Sequence, residues 1–371
     1  MKIRFNPRKS SVRIFYYLLV SGLFFSLVSC SLEDHNPQAP GTVTPVGAKP
    51  AWAPDIDNEM WAVVEQLLSY GDKPIPTLTP QQARMNHTVK DAVMDLVAKF
   101  NIAVPAPQVD TAGKDIPVTG GSIHARVYTP KTGSAPFPVI VYYHGGGWVI
   151  ANIDVYDASA SALAEQTGAI VVSVGYRKGP ERKFPTAHND AFQAYQWVMN
   201  NAATFRGDTT KIGVAGESAG GNLAANVSIM ARDSNVSLPV HELLVYPIAN
   251  SDTTSASYTK YAAAKPLDKP SMQWFFRNYL NTISEVTNPK ISIVNADLSG
   301  LPSTTIILAE IDPLQSEGSL LAERMKAAGV EVTSRLYTGV THEFFGAAAV
   351  VPDAKDAQAF AAAEFKKAFN K

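Results

Sequence analysis

The stretch KIGVAGESAGGNLAANV, residues 211–227, decides the fold. Its first part, Lys211–Gly216, is a short apolar run typical of a buried strand, and the part from Ala219 onward is typical of a helix. Between them, residues 216–220 fit the pattern G-x-S-x-G. A turn from strand to helix this tight requires small residues on both sides of the serine. The stretch therefore predicts a strand–turn–helix unit that presents the hydroxyl of Ser218 at the carboxyl end of a sheet.

The rest of the chain repeats this alternation of short apolar runs and helical runs. Further strand-like runs are SIHARVYTP, FPVIVYYH, AIVVSVGY, VHELLVYP, STTIILAE and VTSRLYTG. This pattern predicts an α/β fold with a mostly parallel central sheet covered by helices on both faces. The alternation breaks between about residues 251 and 298, where SMQWFFRNYL predicts a helix with aromatic anchors. Two helical runs precede the first strand, DNEMWAVVEQLLSYG and PQQARMNHTVKDAVMDLVAKF.

Composition and charge exclude some partners. The chain has 371 residues, of which 46% are hydrophobic, and this is enough for a large core. Its formal net charge is -1, so we expect no nucleic-acid partner. The composition leaves the oligomeric state open.

The N-terminal residues predict export and attachment to a membrane. Residues 1–13 carry five positive charges, and a short apolar run and LVSC follow, ending at Cys30. This order is typical of a signal peptide over residues 1–29. LVSC resembles the lipobox of bacterial lipoproteins, which implies a lipid on Cys30 and a position at the periplasmic face or cell surface. Residues 30–50, rich in Pro and Gly, predict a flexible tether; a retained membrane helix and a soluble secreted protein are the alternatives.

A serine hydroxyl needs a base, and a base of this kind needs an acid to orient it. Only His241 and His342 follow Ser218, and His342 lies in TGVTHEFFG, where a loop should follow a strand. His241 opens a strand and is the weaker candidate. Asp312 directly follows the strand-like run TTIILAEI and is the preferred acid. Glu310 and Asp297 remain rivals for the acid.

The run YYHGGGWV, Tyr142–Val149, predicts a loop that binds an oxyanion. Attack on an ester carbonyl creates a negative oxygen that needs donors already aimed at it. Glycines let backbone N–H groups approach the substrate closely, so Gly145, Gly146 and Ala219 are the candidate donors. His144 is expected to brace this loop. A phosphate-binding loop is excluded because neither a Walker-type Lys-Ser/Thr nor a GxGxxG motif opens a helix here.

Together these motifs resemble the hormone-sensitive-lipase-like esterases of the α/β-hydrolase superfamily. The resemblance rests on HGGGW, GESAGGNLA, SGLPSTTIILAEIDPLQSEG and LYTGVTHEFF, and it covers most of the folded chain. It implies an α/β-hydrolase domain over residues 51–371, with a helical cap made by about residues 51–105 and 251–298. It also implies a triad of Ser218, Asp312 and His342, and an acyl pocket for which Trp148, Trp274, Phe275 and Phe276 are candidates.

Several positions depart from the family pattern. The family sequence YRLAPE reads YRKGPE at residues 176–181, and the usual GDSAGG reads GESAGG. The usual Ser-Pro-Leu after the cap reads Ile291-Ser292-Ile293, and the usual His-Gly-Phe reads His342-Glu343-Phe344. None of these removes a catalytic group, but Glu343 adds a charge near the base and so bears on substrate preference.

We therefore expect a serine carboxylesterase that cleaves short- to medium-chain acyl esters through an acyl-enzyme, with no cofactor and no metal. The alternatives are a deacetylase or amide hydrolase with the same triad, and a non-catalytic surface lipoprotein that binds ligands.

Overall fold

The computed structural model describes residues 43–370, and an eight-stranded sheet forms its centre. The strands are β1 (Val109–Val118), β2 (Gly121–Pro130), β3 (Phe137–Tyr143), β4 (Ile170–Gly175), β5 (Gly207–Glu217), β6 (Glu242–Val245), β7 (Thr304–Ile311) and β8 (Val332–Thr341). Their order across the sheet is β1-β2-β4-β3-β5-β6-β7-β8. β1 and β2 pair antiparallel, β2 is antiparallel to β4, and all pairs from β4 to β8 are parallel. The predicted α/β fold with a mostly parallel sheet is confirmed.

Helices cover both faces of this sheet. They are α1 (Asn58–Ser69), α2 (Pro80–Ala83), α3 (Val89–Lys99), α4 (Asp157–Thr167), α5 (Thr186–Asn201), α6 (Ala219–Asp233), α7 (Ala256–Lys260), α8 (Lys269–Tyr279), α9 (Gln315–Ala327) and α10 (Pro352–Phe369). α4 packs against α10 on one face, while α5 packs against α6 on the other. Short 3₁₀ turns lie at Ile75–Thr77, Ala202–Phe205, Ile283–Thr287, Ile293–Asn295 and Phe344–Ala347.

The central strands are buried on both sides, so their sequences are continuously apolar. In β3, Val139 and Val141 belong to one hydrophobic core, and Ile140 and Tyr142 belong to the other. This split follows from the two-residue period of a strand, whose successive side chains point to opposite faces. Two cores separated by the sheet hold the carboxyl ends of the strands in a fixed plane, and the candidate residues lie at that edge.

β1 was not among the strands that the sequence predicts. Its sequence VDTAGKDIPV has few apolar residues, and most of its side chains are exposed. All ten residues pair in register with β2. This edge strand is therefore defined by backbone hydrogen bonds to one neighbour. Such bonds do not depend on side chains, so the sequence shows no apolar pattern here.

The folded region begins earlier than the expected boundary at residue 51. The N–H groups of Val46 and Gly47 donate to the carboxylate of Glu65 on α1, at 2.7 and 2.5 Å. Trp61 donates from its indole nitrogen to the carbonyl of Gly47 at 3.1 Å, and Val43 is buried. The prediction of a flexible tether through residue 50 is therefore wrong for its last part, in which Val43 is buried and residues 46 and 47 are hydrogen bonded to α1.

The signal peptide, Cys30 and the remainder of the expected tether lie outside the described residues. Within residues 43–370, no helix is both long enough and apolar enough to cross a membrane.

The two segments expected to form the cap contact each other. The indole nitrogen of Trp274 on α8 donates to the carbonyl of Leu78 at 3.0 Å, which joins residues 196 positions apart. Arg84, just after α2, donates to the carbonyls of Val149 and Gly179 at 2.9 and 2.6 Å. The N-terminal segment is therefore bound both to the later cap segment and to loops at the carboxyl edge of the sheet.

Candidate active site

Ser218 occupies the turn between β5 and α6. Its backbone has φ +56° and ψ -118°, a conformation that non-glycine residues rarely adopt. Its N–H donates to the carbonyl of Val245 at 2.9 Å, which fixes the turn to β6. A Cβ on Gly220 would lie 1.9 Å from the carbonyl oxygen of Tyr143, so only glycine lets α6 approach β3 this closely. The strained turn is the strand–turn–helix unit that the sequence predicts.

Three side chains from three different loops meet at this turn. The hydroxyl oxygen of Ser218 lies 3.0 Å from Nε2 of His342, which follows β8. Nδ1 of His342 lies 2.6 Å from Oδ2 of Asp312, which follows β7. The other oxygen of Asp312 accepts the N–H of Leu314 at 2.9 Å, so the carboxylate is held at both ends. The structure therefore brings together the three residues that the sequence predicts as a triad.

The rival residues lie in other environments. Glu310 accepts the N–H of Gly339 at 3.1 Å, and Asp297 forms a local turn with Ser299 at 2.9 Å. His241 contacts the hydroxyls of Ser303 and Thr305 at 2.8 and 3.0 Å. Neither rival acid hydrogen bonds to His342.

The electrostatics of His342 favour its positive form. Burial alone would lower its pKa, but the charge and hydrogen bond of Asp312 outweigh this effect, with further contributions from Glu343 and Glu217. The net result is a raised pKa. An imidazole of raised basicity that touches a serine hydroxyl can remove the proton of that hydroxyl.

The glycine loop after β3 lies beside the serine. Gly146 has φ +94°, and a Cβ there would lie 2.4 Å from the carbonyl oxygen of Ile150. Ala219 is the first residue of α6, so its N–H has no acceptor within the helix. The N–H groups of Gly145, Gly146 and Ala219 are therefore the candidate donors to an oxyanion.

His144 braces this loop, as expected. It is fully buried, its Nδ1 lies 2.8 Å from the carbonyl oxygen of Gly145, and its ring stacks on Tyr176 with centroids 4.3 Å apart. The hydroxyl of Tyr176 donates to the carbonyl of His144 at 2.8 Å. Burial, aided by the nearby positive charge of Lys178, lowers the pKa of His144 to about 3. His144 is therefore neutral and structural.

Above Ser218 lies a cavity of about 340 Å³, called here the active-site cavity. Its walls are formed by the serine turn, the glycine loop, His342 and both cap segments. The cap residues in these walls include Leu67, Leu68, Ile75, Arg84, Leu267 and Phe275. Phe275 thus lines the cavity as expected, whereas Trp148 and Trp274 do not. Trp148 is fully buried against Tyr279, with ring centroids 4.9 Å apart, and the indole of Trp274 is used to join the two cap segments. Phe276 is likewise buried in the core.

The motifs do not reveal a buried hydrogen-bonded group beneath the site. Glu217 accepts the hydroxyls of Tyr142, at 2.5 Å, and Tyr246. The ring of Tyr246 lies 4.5 Å from that of His342. Burial raises the pKa of Glu217. Glu217 is the second residue of G-x-S-x-G, and no local signal in the sequence connects it to Tyr142 on β3 or to Tyr246 just after β6.

A second cavity, of about 880 Å³, lies beside the first. The two share Val89, Val155 and Glu343 in their walls. At this wall the hydroxyl of Tyr156 donates to Glu343 at 3.0 Å. No group of three or more His, Cys, Asp or Glu side chains capable of holding a metal occurs in residues 43–370.

Comparison with known proteins agrees with this geometry. Residues 140–346 match the model of a family described by its alpha/beta hydrolase fold. Carboxylesterase NlhH of Mycobacterium tuberculosis is 40% identical over 260 residues, which are 69% of this chain and 79% of that protein. An ethyl acetate hydrolase of Pseudomonas putida is 28% identical over 241 residues, 64% of this chain and 76% of that protein.

A solved structure of an esterase from Pyrobaculum calidifontis matches with a TM-score of 0.72 and 37% identity, covering 79% of this chain and 95% of that one. The fold is therefore shared with proteins named for ester cleavage. The chain belongs to the hormone-sensitive-lipase-like esterases of the α/β-hydrolase superfamily and is a carboxylic ester hydrolase.

Proposed function

We propose that the protein hydrolyses short- to medium-chain acyl esters by a serine mechanism in which Ser218 forms an acyl-enzyme. The observation that carries this proposal is the continuous contact from Ser218 through His342 to Asp312, with distances of 3.0 and 2.6 Å. The burial of all three side chains supports it, because buried charges interact more strongly than charges in water.

In the first half of the reaction, the hydroxyl oxygen of Ser218 attacks the carbonyl carbon of the ester. Its proton passes to Nε2 of His342, and Asp312 stabilises the imidazolium that forms. The carbonyl oxygen becomes negative and accepts N–H groups from Gly145, Gly146 and Ala219. The intermediate then collapses, His342 returns the proton to the leaving alkoxide, and the alcohol departs.

In the second half, water takes the place of the alcohol. His342 removes a proton from the water, whose oxygen attacks the acyl carbon, and the same N–H groups hold the second oxyanion. Collapse releases the carboxylic acid and returns the proton to Ser218.

The size of the cavity supports the limit on chain length. A volume of about 340 Å³ is at the small end for ligand pockets, and both cap segments enclose it. The relative named for ethyl acetate hydrolysis supports a preference for short acyl groups.

Hydrolysis of p-nitrophenyl esters from acetate to palmitate tests this proposal. We expect turnover of the short and medium esters by the wild type and a loss of at least about 10⁴-fold in kcat for Ser218→Ala. Ser134→Ala, an exposed loop serine, is the matched control and should retain full activity. Equal activity of wild type and Ser218→Ala would exclude Ser218 as the nucleophile. Matched p-nitroanilides in the same assay separate an esterase from an amide hydrolase.

We also propose that the protein is an exported lipoprotein held to a membrane through Cys30. The positively charged segment, the apolar run and LVSC support this location. Labelling of cells with radioactive palmitate should mark the wild type and leave Cys30→Ala unlabelled. Equal labelling of the two would contradict the anchor.

A further inference from the structure

Lys178 is a positive charge inside the active-site cavity. It follows β4, and it lines the same cavity as Ser218 and His342. Its ammonium group donates to the carbonyl of Ala151, at the end of the glycine loop. An ammonium group has three donors, so at least one remains for a ligand after this bond.

Most of the other basic side chains of the cavity have carboxylate partners, and the carboxylate of Glu343 in the same cavity accepts the hydroxyl of Tyr156. Arg84 binds Glu181 at 2.7 Å and Lys265 binds Asp268 at 2.5 Å. His87 contacts Asp72 at 3.0 Å. In contrast, no carboxylate of residues 43–370 lies within 4.0 Å of the Lys178 ammonium group, and nearby Glu181 is occupied by Arg84.

Lys178 is costly in this position. It is partly buried, and burial, together with the charge of Arg84, lowers its pKa to about 8. The charge of Glu181 offsets part of this effect, but no carboxylate contacts the ammonium group directly, and a partly buried cation without such a contact is destabilising. The carbonyl of Ala151 accepts one hydrogen bond from the ammonium group but supplies no negative charge.

We propose that Lys178 selects esters that carry an anionic group, such as a carboxylate, in the acyl or the alcohol part. The negative group of the substrate would supply the missing counter-ion while the ester carbonyl lies at the glycine loop next to Ala151. Lys178 is thus a specificity residue for the proposed esterase, and the inference rests on that proposed function.

Two matched pairs of substrates test this inference. The first pair is mono-p-nitrophenyl succinate and its neutral methyl ester, which differ in charge in the acyl part. The second is 4-acetoxybenzoate and its neutral methyl ester, which differ in charge in the leaving group. In each pair the quantity measured is the ratio of kcat/KM for the anionic ester to that for the neutral one.

We expect Lys178→Met to lower this ratio by at least about tenfold in one of the pairs, since a hydrogen bond to a charged group is lost. Lys178→Arg should retain most of the preference. Lys131→Met is the matched control, because Lys131 also donates to a carbonyl, that of Pro107, but lies outside the cavity.

The pH dependence provides a second readout. The charged groups that act on Lys178 are Arg84 and Glu181, and neighbouring His144 stays neutral. As Lys178 loses its proton above about pH 8, the wild-type ratio should fall, whereas Lys178→Arg should keep its ratio.

The outcomes separate this inference from the proposed function. If Lys178→Met slows the anionic and neutral esters equally, Lys178 only braces Ala151 and the inference is wrong. A different result would overturn both proposals. In that case the wild type would cleave none of the four esters, and its activity on every substrate would equal that of Ser218→Ala.

Discussion

His144 and His342 are two buried histidines near the same serine, yet their proton affinities move in opposite directions. Burial lowers the pKa of both. His144 contacts a carbonyl and two tyrosine rings but no carboxylate, so the effect of burial prevails. His342 contacts the carboxylate of Asp312, which reverses the effect. The comparison teaches that in this site a carboxylate partner, and not burial, separates a base from a structural residue.

Removing the carboxylate of Asp312 should have the largest effect on the difference between the two histidines. In Asp312→Asn, His342 loses both the charge that raises its pKa and the group that holds its tautomer. We expect kcat for p-nitrophenyl acetate to fall about 10⁴-fold with little change in KM. Glu310→Gln is the matched control two residues earlier, because Glu310 bonds only to groups away from His342. If Glu310→Gln lost as much activity as Asp312→Asn, the assignment of Asp312 as the acid would be wrong.

Substitution of His144 should have a smaller effect on activity and should also lower stability. His144→Ala removes the contact to Gly145 and leaves the glycine loop less supported. We expect kcat/KM to fall roughly tenfold, and the free energy of unfolding to fall by about 1–3 kcal/mol. The pH at which activity reaches half its plateau should stay constant, since His144 is neutral throughout the range in which esterases are assayed. A shift of that pH would give His144 a role in proton transfer.

Substitution of Glu343 should have the smallest effect, a shift in the pKa of His342. The negative charge of Glu343 contributes to the raised pKa of His342. The base works only when neutral, so a raised pKa moves the acid limb of activity to higher pH, and Glu343→Gln should move that limb to lower pH. We expect the plateau of kcat/KM to change less than about threefold.

Profiles of kcat/KM against pH for Glu343→Gln and for Glu323→Gln, an exposed residue of α9, check this expectation. An unmoved limb in Glu343→Gln would show that the charge of Glu343 does not reach His342.

The sequence predicts the site residues wherever a functional residue lies in a recognisable local motif. Ser218, Asp312 and His342 each follow a predicted strand. Parallel strands place their carboxyl ends at one edge of the sheet, so local patterns suffice to bring these residues together. The glycine loop is readable for the same reason.

The sequence is uninformative where a residue acts through partners distant along the chain. The exclusion of Trp148 and Trp274 from the cavity depends on Tyr279 and Leu78, which no local pattern connects to them. The contacts of Glu217 join the end of β5 to Tyr142 on β3 and to Tyr246 just after β6. β1 escaped prediction because backbone pairing alone defines it.

The hydrogen bonds from the N–H groups of Val46 and Gly47 to Glu65 limit how far the enzyme can move from the membrane if Cys30 carries a lipid. Val43 already belongs to the folded body, and it follows Cys30 by only 13 residues. Even fully extended, that length spans at most about 45 Å. Because α1 both receives this segment and lines the cavity, such an anchor would keep the active-site cavity close to the membrane surface. Esters that collect at that surface would then reach the enzyme at far higher local concentration than the same esters in bulk solution.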